Sequence, residues 1–292
     1  MTNLGFIGIG TMGDPMVHCL TNAGQTPLIQ DADTARANDI AARDGLKSVA
    51  TAADIGAQSD VVILMLPNSA IVKDVCLGAH GLVPAMAKGG IIVDMSSSDP
   101  IETRKLGAEL ARQGITLLDA PVSGGLRKAR DGTLAIMLGG DDAAAMDRVE
   151  PILTAMGRVF RAGPLAAGHA TKALNNYVSA AGLVAACEAV IVGRDFGLDP
   201  TVLTDIINAS TGRNNSTENK IAQFVLSGAF RDAGFGLGLM TKDVGLAAHL
   251  GQQMGHDLPG LNAVADIWTR AAKGLDSDAD HTEIFRYLEN LD

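Results

Sequence analysis

Lys172 and two asparagines are the residues whose types and spacing best suit catalysis. Asn175 and Asn176 follow Lys172 by three and four residues, just before the longest apolar run of the chain. In a helix this spacing places the three side chains on one face, about one turn apart. A lysine and two amides on an apolar helix would form a site for a small polar substrate. The alternative is that Lys172 extends into solvent from the helix end while the amides bond nearby backbone.

A glycine-rich turn near the start of the chain predicts a dinucleotide site. Gly8, Gly10 and Gly13 have the spacing Gly-x-Gly-x-x-Gly, with Thr11 and Met12 inside it, after an apolar strand and before a helix. The first glycine permits a tight turn, the second lets the backbone approach a pyrophosphate, and the third allows close helix-to-strand packing. The pyrophosphate would bind the free amides at the helix start. A glycine turn that binds nothing is the alternative.

Asp31 indicates which dinucleotide is bound. It ends the second predicted strand, about twenty residues beyond the glycines, where an acidic residue binds the ribose hydroxyls. Its carboxylate would repel the 2′-phosphate of NADP, and the nearest arginine, Arg36, does not follow it directly. We therefore expect NAD, with NADP less favoured.

Two further loops follow predicted strands of the same half. Leu66 and Pro67 end one of them, and Ser97 lies within a run of three serines in the other. The carboxyl ends of parallel strands are where open α/β sheets bind ligands, so both loops are expected to line the cofactor crevice. The serines could instead cap the helix that begins at Asp99-Pro100.

The loop DAPVSGG, residues 119–125, predicts a binding site for a carboxylate. It follows another strand and presents Ser123, Gly124 and Gly125 together. Two glycines beside a hydroxyl expose backbone amides that can bind an anion without a cationic side chain. A plain turn is the alternative. Arg127 and Lys128, just beyond, are interpreted as a solvated charged turn.

These residues need a sheet and a long helix to position them. Residues 1–163 alternate β-branched runs with helical stretches, which predicts an N-terminal Rossmann-type, doubly wound, mainly parallel α/β sheet. Residues 164–292 show only helical periodicity, which predicts an all-α second domain entered through a long interdomain helix. The predicted strands are 4–9, 27–30, 61–66, 91–95, 116–119, 134–138 and 159–161, and the predicted helices of the second domain are 165–194, 200–210, 215–228, 238–254, 260–273 and 280–289.

Composition excludes several classes of protein. The net charge of −10 over 292 residues argues against nucleic-acid binding, which needs a basic surface. The three cysteines are far apart in apolar surroundings, and no His/Cys/Asp cluster has metal-ligand spacing, so we expect reduced core thiols, no metal, and a cytoplasmic protein. No basic-then-apolar stretch precedes the first predicted strand at Leu4, so we expect no secretory signal. The apolar run Tyr177–Gly193 contains Glu188 and is interpreted as a buried helix of a protein that does not span membranes.

Several motifs together resemble the β-hydroxyacid dehydrogenase family, which includes 3-hydroxyisobutyrate dehydrogenases, tartronate semialdehyde reductases and the glyoxylate/succinic semialdehyde reductases. The resemblance covers nearly the whole chain and keeps the family's motif order. The motifs are Gly-x-Gly-x-Met-Gly-x-Pro-Met at 8–16, Met65-Leu66-Pro67, Asp119-Ala-Pro-Val-Ser-Gly-Gly125, Gly132-Thr133-Leu134, Gly168-x-x-x-Lys172-x-x-Asn175-Asn176 and Lys242-Asp243.

The resemblance implies a role for each matching residue. Lys172 would be the catalytic lysine, Asn176 would orient the substrate, and Ser123–Gly125 would hold its carboxylate. Ser97 would lie beside the nicotinamide, and Lys242 would reach both cofactor and substrate. The resemblance further implies a substrate cleft between the domains and homodimers or homotetramers that assemble through the helical halves.

The implied reaction is hydride transfer between a nicotinamide cofactor and a small anionic 3-hydroxy acid or its semialdehyde, with Lys172 as general acid and base. It could run in the direction of a tartronate, succinic semialdehyde or glyoxylate reductase. Decarboxylation is an alternative within the family, although the related phosphogluconate enzymes usually carry His where Asn175 stands and have a longer helical domain. A non-catalytic NAD-binding protein is an alternative of another class.

The residues that would contact the far end of the substrate are indicated less clearly by the sequence. The resemblance places substrate-facing residues in the segment 211–216, where Arg213, Asn214 and Asn215 would suit a polar or second anionic group. A solvated loop that caps the next helix fits equally well. Family members often carry an aromatic residue close after this arginine, and its absence argues against 3-hydroxyisobutyrate, whose methyl group would prefer an apolar wall.

Overall fold

The computed structural model describes residues 2–291 and divides into two compact units. One extends to Lys172 and the other begins at Ala173. We call them the sheet unit and the helical unit. The predicted α/β class, a mainly parallel sheet followed by a long helix and a helical part, is confirmed.

The described part of the sheet unit is built on one sheet of nine strands. Its order is β3-β2-β1-β4-β5-β6-β8-β7, and β9 pairs with β8. The strands are β1 (Leu4–Ile7), β2 (Leu28–Gln30), β3 (Lys47–Ser48), β4 (Val61–Leu64), β5 (Ile91–Asp94), β6 (Thr116–Asp119), β7 (Val122–Ser123), β8 (Leu134–Gly139) and β9 (Gly157–Gly163).

The strands on the side of the glycine-rich turn all run in one direction, whereas the other edge of the sheet is mixed. The six strands β1 to β6 run parallel, in the spatial order 3-2-1-4-5-6 that is found in dinucleotide-binding folds. Strand β8 is antiparallel to β6 and β7 and parallel to β9. All seven predicted strands are present. The two that were not predicted, β3 and β7, have two residues each and therefore carry no readable alternation.

Both faces of the parallel strands are buried. Phe6 and Ile63 contribute to one apolar cluster, whereas Ile7 and Leu64, the next residues along β1 and β4, contribute to another. Because alternate side chains of a strand point to opposite faces, the two clusters lie on the two sides of the sheet. This double burial explains why these strands are continuous apolar runs in the sequence.

Seven helices lie wholly within the described sheet unit. Most begin at a side chain that accepts a backbone N–H bond, as helix starts require. These capping residues are Asp33, Thr51, Asn68, Asp99 and Asp142. The helices are α1 (Gly13–Asn22), α2 (Thr34–Asp44), α3 (Ala52–Gln58), α4 (Ser69–Leu77), α5 (Pro100–Arg112), α6 (Gly125–Arg130) and α7 (Ala143–Leu153).

The 30-residue helix α8 (Ala167–Phe196) leads out of the sheet unit. Beyond Gly163, the described residues form an isolated bridge between Gly236 and Asp280 but no further strand. The other helices are α9 (Pro200–Asn208), α10 (Leu237–Gln253), α11 (Pro259–Gly274) and α12 (Ile284–Glu289), with a π-helix at Thr217–Leu226 and 3₁₀-helices at Phe230–Ala233 and His281–Glu283.

The segment 215–228 was predicted as an ordinary helix, and that prediction is wrong in type. The structure has a ten-residue π-helix there, in which Gln223 Nε2 bonds the carbonyl oxygen of Glu218, five residues earlier. Hydrophobic spacing does not distinguish the two helix types at this length. π-Helices are rare, and they are frequently found at functional sites.

Helix α8 is long and apolar enough, by length and composition alone, to cross a membrane. Its buried side chains, among them Leu183, Cys187 and Val190, pack with Trp268 in the core of the helical unit. The prediction of a buried helix therefore holds for one face. The opposite face is apolar and exposed, which the sequence did not indicate.

Candidate active site

The glycine turn has the geometry that a pyrophosphate needs. Gly8 has a φ of +93°, which side chains rarely adopt, and a Cβ on Gly13 would lie 1.9 Å from the carbonyl oxygen of Gly8. At Gly10 a Cβ would meet only Arg36 Nη1, at 3.8 Å, within 4 Å. The first and third glycines are therefore required by the fold, while the second faces space that a ligand can enter.

The start of α1 and the carboxylate of Asp31 fit a dinucleotide. Among the described residues no side chain caps α1, so the amide of Gly13 at its start can meet an anion, whereas Asp14 N–H donates to the Gly10 carbonyl and Pro15 has no N–H. Asp31 Oδ2 accepts the N–H of Ile9 at 2.8 Å, which fixes the carboxylate beside the turn. Arg36 Nη1 lies 3.9 Å from Asp31 Oδ1 and its guanidinium also pairs with Asp33, so this arginine is closer to the ribose position than its sequence spacing indicated.

The loops after β4 and β5 are tied to one another. The N–H of Leu66 donates to Ser96 Oγ at 2.9 Å, and Ser98 Oγ donates to Asp94 at 2.7 Å. Asp99, not a serine, caps α5, so the capping alternative for the serines is wrong. Ser96 and Ser98 are buried, and Ser97 between them is partly exposed on the edge where a cofactor would bind.

Lys172 lies against the predicted carboxylate loop. Its Nζ donates to the carbonyl oxygen of Val122 at 2.9 Å, and the residue is 9% exposed, so it does not extend into solvent. Val122 and Ser123 form β7, and Gly124, with a φ of +137°, precedes α6. Among the described side chains none caps α6. The structure thus brings an ammonium, a hydroxyl and uncapped amides together within the sheet unit.

In the helical unit, a buried carboxylate orients Asn176. The amide nitrogen of Asn176 donates to Asp243 Oδ2 at 2.6 Å, and its oxygen accepts from Asn175 Nδ2. Lys242 Nζ lies 3.9 Å from the other oxygen of Asp243. Sequence reasoning gave Asp243 no role, although it is adjacent to Lys242 in the Lys-Asp motif.

Two family models match the chain, and together they cover nearly all of it. Residues 3–168 match the NAD binding domain of 6-phosphogluconate dehydrogenase. Residues 166–288 match the model described as NAD-binding of NADP-dependent 3-hydroxyisobutyrate dehydrogenase. The chain belongs to the β-hydroxyacid dehydrogenase family.

Relatives and solved structures agree with this assignment. A 2-(hydroxymethyl)glutarate dehydrogenase of Eubacterium barkeri is 37% identical over 257 residues, 88% of this chain and 84% of its own. An NAD-dependent L-serine dehydrogenase of Pseudomonas aeruginosa is 36% identical over 270 residues, 89% of this chain and 88% of its own. The structure of Mycobacterium tuberculosis 3-hydroxyisobutyrate dehydrogenase with L-serine matches with a TM-score of 0.89, 32% identity and 99% coverage of both chains.

This β-hydroxyacid dehydrogenase is therefore an oxidoreductase that acts on a CH–OH group of a small hydroxy acid with a nicotinamide cofactor. The glycine turn, the uncapped start of α1 and Asp31 are the described residues that fit the dinucleotide. Within residues 2–291, no group of three or more His, Cys, Asp or Glu side chains could hold a metal ion.

Of the residues expected at the far end of the substrate, Arg213 is exposed and Asn214 bonds the start of the π-helix. Arg213 is 63% exposed and pairs with Glu218 at 3.7 Å. Asn214 Oδ1 accepts the N–H groups of Ser216 and Thr217 at the start of the π-helix. These contacts favour the helix-capping alternative for the loop. Arg127 is likewise exposed and pairs with Asp131, which fits the predicted solvated turn.

The three cysteines are buried and unpaired, as predicted. Burial raises the pKa of the Cys187 thiol to about 12 and also raises the pKa values of Cys19 and Cys76. All three thiols are therefore neutral near pH 7 and unsuited to nucleophilic chemistry.

Proposed function

We propose that this dehydrogenase interconverts a small β-hydroxy acid and its semialdehyde with NAD, and that Lys172 carries the proton. The supporting observation is the 2.9 Å bond from Lys172 Nζ to the carbonyl of Val122, directly before Ser123. It holds the ammonium beside the loop that would bind the substrate carboxylate. In oxidation Lys172 acts as the neutral amine and accepts the hydroxyl proton, becoming the ammonium, and in reduction the ammonium returns that proton to the carbonyl oxygen.

Ser123, Gly124 and Gly125 would hold the substrate carboxylate. The hydroxyl of Ser123 and the uncapped amides at the start of α6 are donors that an anion can accept from. Such a seat lets a protein with a net charge of −10 bind an anion without a local cluster of cations. The cofactor, when bound, supplies or accepts the hydride. Asn176 and Lys242 keep their predicted roles as substrate and cofactor contacts.

Names of relatives suggest the class of substrate. Serine, 3-hydroxyisobutyrate and 2-(hydroxymethyl)glutarate are all 3-hydroxypropionates with different groups on C2. We propose a substrate of this class for the chain. Since Asn214 bonds the start of the π-helix, the argument against the methyl of 3-hydroxyisobutyrate rests on the absence of an aromatic residue close after Arg213.

A substrate panel tests this proposal. Glycerate, serine, 3-hydroxyisobutyrate, threonate, 4-hydroxybutyrate and 2-(hydroxymethyl)glutarate would each be assayed with NAD and with NADP. We expect turnover of at least one 3-hydroxypropionate, with NAD favoured because Asp31 opposes a 2′-phosphate. Cofactor binding without turnover of any member would support the non-catalytic alternative. Release of carbon dioxide with the reduced cofactor would support decarboxylation.

We further propose that the protein is a homo-oligomer assembled through α8. Leu174, Val178, Val192 and Phe196 lie on one face of this helix and are 45–81% exposed. Apolar side chains repeated on one exposed helix face are typical of an interface. Light scattering should give a dimer or tetramer, and Val178→Glu with Val192→Glu should shift it towards monomer. A monomeric wild-type protein would exclude this part of the proposal.

A further inference from the structure

Two buried carboxylates lie side by side at the ends of β5 and β6. Asp94 and Asp119 are direct partners in the parallel register, and they are 2% and 0% exposed. Asp94 accepts bonds from Ser96 N and Ser98 Oγ. Asp119 accepts from the backbone N–H groups of Ala166 and His169, at 2.7 Å each. All four carboxyl oxygens therefore accept a hydrogen bond, although burial raises the pKa of Asp119.

The imidazole of His169 lies between these carboxylates. Its Nε2 is 3.7 Å from Asp94 Oδ2, and its Nδ1 is 3.8 Å from Asp119 Oδ2. The residue is 1% exposed. Two adjacent buried anions repel each other strongly unless a cation lies close by, because the interior screens charge poorly. Within the sheet unit, His169 is the titratable base placed to neutralise them.

Hydrogen bonding fixes the proton on one ring nitrogen. Nδ1 lies 2.9 Å from Thr103 Oγ1, and the hydroxyl of Thr103 already donates its proton to the carbonyl oxygen of Asp99. The hydroxyl oxygen must therefore accept, which places a proton on Nδ1. Nε2 is buried, has no hydrogen-bond partner among residues 2–291, and faces Asp94. A proton on Nε2 replaces a lone pair that would repel the carboxylate of Asp94.

The groups that face this histidine come from several elements. They are Asp94 at the end of β5, Asp119 at the end of β6 and the hydroxyl of Thr103 on α5. The thiol of Cys76 on α4 lies near Asp94, and burial raises its pKa, so it adds no charge. Burial also raises the pKa of Asp119, while the charge of His169 lowers it.

The cluster joins two parts of the active site. Asp94 holds the serine loop that contains Ser97, and Asp119 holds the start of α8, where Lys172 follows His169 by three residues. Ala166, at this start, is the non-glycine residue with positive φ (74°) in the described chain. A strained backbone of this kind persists only where surrounding contacts hold it.

We propose that His169 is a positioning residue that, as an imidazolium between Asp94 and Asp119, fixes the start of α8 and hence Lys172 relative to the Ser96–Ser98 loop. The inference rests on the proposed role of Lys172. Small displacements of a catalytic group reduce rates steeply, and about 1 Å can cost about 100-fold. The effect should therefore fall on the chemical step rather than on binding.

The charge of His169 can be measured without any assay of activity. In protein labelled with ¹⁵N-histidine, the ring nitrogens of an imidazolium and of a neutral imidazole have distinct chemical shifts. The His169 signal is assigned by its loss in His169→Gln. We expect imidazolium shifts at pH 7. Shifts of a neutral ring at pH 7 would overturn the proposal, whether or not a substrate has been found.

The positioning role is tested with His169→Gln and, as a matched control, His256→Gln, an exposed histidine. His169→Gln should lower kcat about 10- to 100-fold while the KM for substrate and the Kd for NAD stay within about threefold. His256→Gln should behave as wild type. Unchanged kcat in folded His169→Gln would exclude positioning, and an equal loss of NAD affinity would indicate a general structural role.

A double variant separates charge from shape and also covers the case in which His169→Gln folds poorly. Removing one anion as well, in Asp94→Asn with His169→Gln, removes the repulsion that the lost cation leaves behind. We expect the double variant to have a higher Tm and a higher kcat than His169→Gln alone. If its losses equal or exceed the sum of the two single losses, the imidazolium does not act by charge compensation and the proposal fails.

Discussion

The helices α1 and α8 both begin in the sheet unit, but their first amides are satisfied differently. The first amides of any helix lack acceptors within it. In the described chain no side chain caps α1, whereas the buried carboxylate of Asp119 accepts the N–H of Ala166, just before α8, and that of His169, in its first turn. The first arrangement leaves room for an anion that must come and go. The second holds in place the helix that carries Lys172.

The largest effect should come from Lys172 itself. Lys172→Ala removes the proton carrier, and we expect turnover to fall about 10²- to 10⁴-fold because general acid–base catalysis contributes that much. The Kd for NAD, measured by fluorescence titration, should stay within about threefold. Lys105→Ala, which removes an exposed lysine paired with Glu102, should leave turnover unchanged. A Lys172→Ala enzyme with near wild-type turnover would end the assignment.

Two glycines test the open helix start. In Gly13→Ala the methyl group would lie 1.9 Å from the carbonyl oxygen of Gly8, so we expect a lower Tm and lost cofactor binding together. In Gly10→Ala the methyl group has space, so Tm should stay near wild type while the Kd for NAD rises at least about tenfold. Equal NAD affinity in Gly10→Ala and wild type would show that the pyrophosphate does not approach this turn.

Asp119→Asn tests the closed helix start. The amide keeps one acceptor but loses the charge, so we expect the free energy of unfolding to fall by about 2 kcal/mol, as for a charge-assisted bond. Urea unfolding measures it. Asp199→Asn is the matched control, since Asp199 caps α9 from an exposed position and Asn caps as well as Asp. Its change should stay within about 0.5 kcal/mol. Similar values for the two variants would remove the distinction between these caps.

The smallest expected effect concerns Lys220 in the helical unit. Burial disfavours its positive charge, and the attraction of Asp280 offsets this only in part. Burial lowers its pKa to about 8, while Asp280 acts in the opposite direction. Between pH 8 and 10.5 the unfolded chain holds a proton that the folded chain has released, so stability rises with pH across that window. Lys220→Met should remove this rise and increase Tm at pH 7 by about 2 °C. The control is Lys273→Met, an exposed lysine whose removal should change neither.

Much of the sheet unit could be predicted because each feature is local in sequence. The glycine spacing, the acidic residue that ends β2 and the apolar runs buried on both faces are each visible within a short window. The bond from Lys172 to Val122 was not predictable, because β7 has two residues and its pairing with β8 is a tertiary property. The loop pattern at 119–125 indicated Ser123 as one of two alternatives, and the family resemblance favoured it.

His169 shows why the rest was missed. No motif or spacing in the sequence indicated a role for His169. Its partners lie at 94, 103 and 119, on three different elements, and no window of sequence brings them together. In the sequence, Asp94 and Asp119 are only the last residues of two strands. Arg213, by contrast, had suggestive neighbours in sequence and proved to be exposed and paired with Glu218.

The contacts of Asp119 bear on which fragment of this chain could fold alone. A polypeptide that ends at residue 163 would contain Asp94 and Asp119 but neither the imidazole of His169 nor the two amides that bond Asp119. In that fragment Asp119 would lack the two donors that its oxygens bond in the full chain. A fragment that continues to Lys172 would keep all of these partners. The start of α8 thus supplies contacts to the sheet unit that a fragment ending at residue 163 would lack.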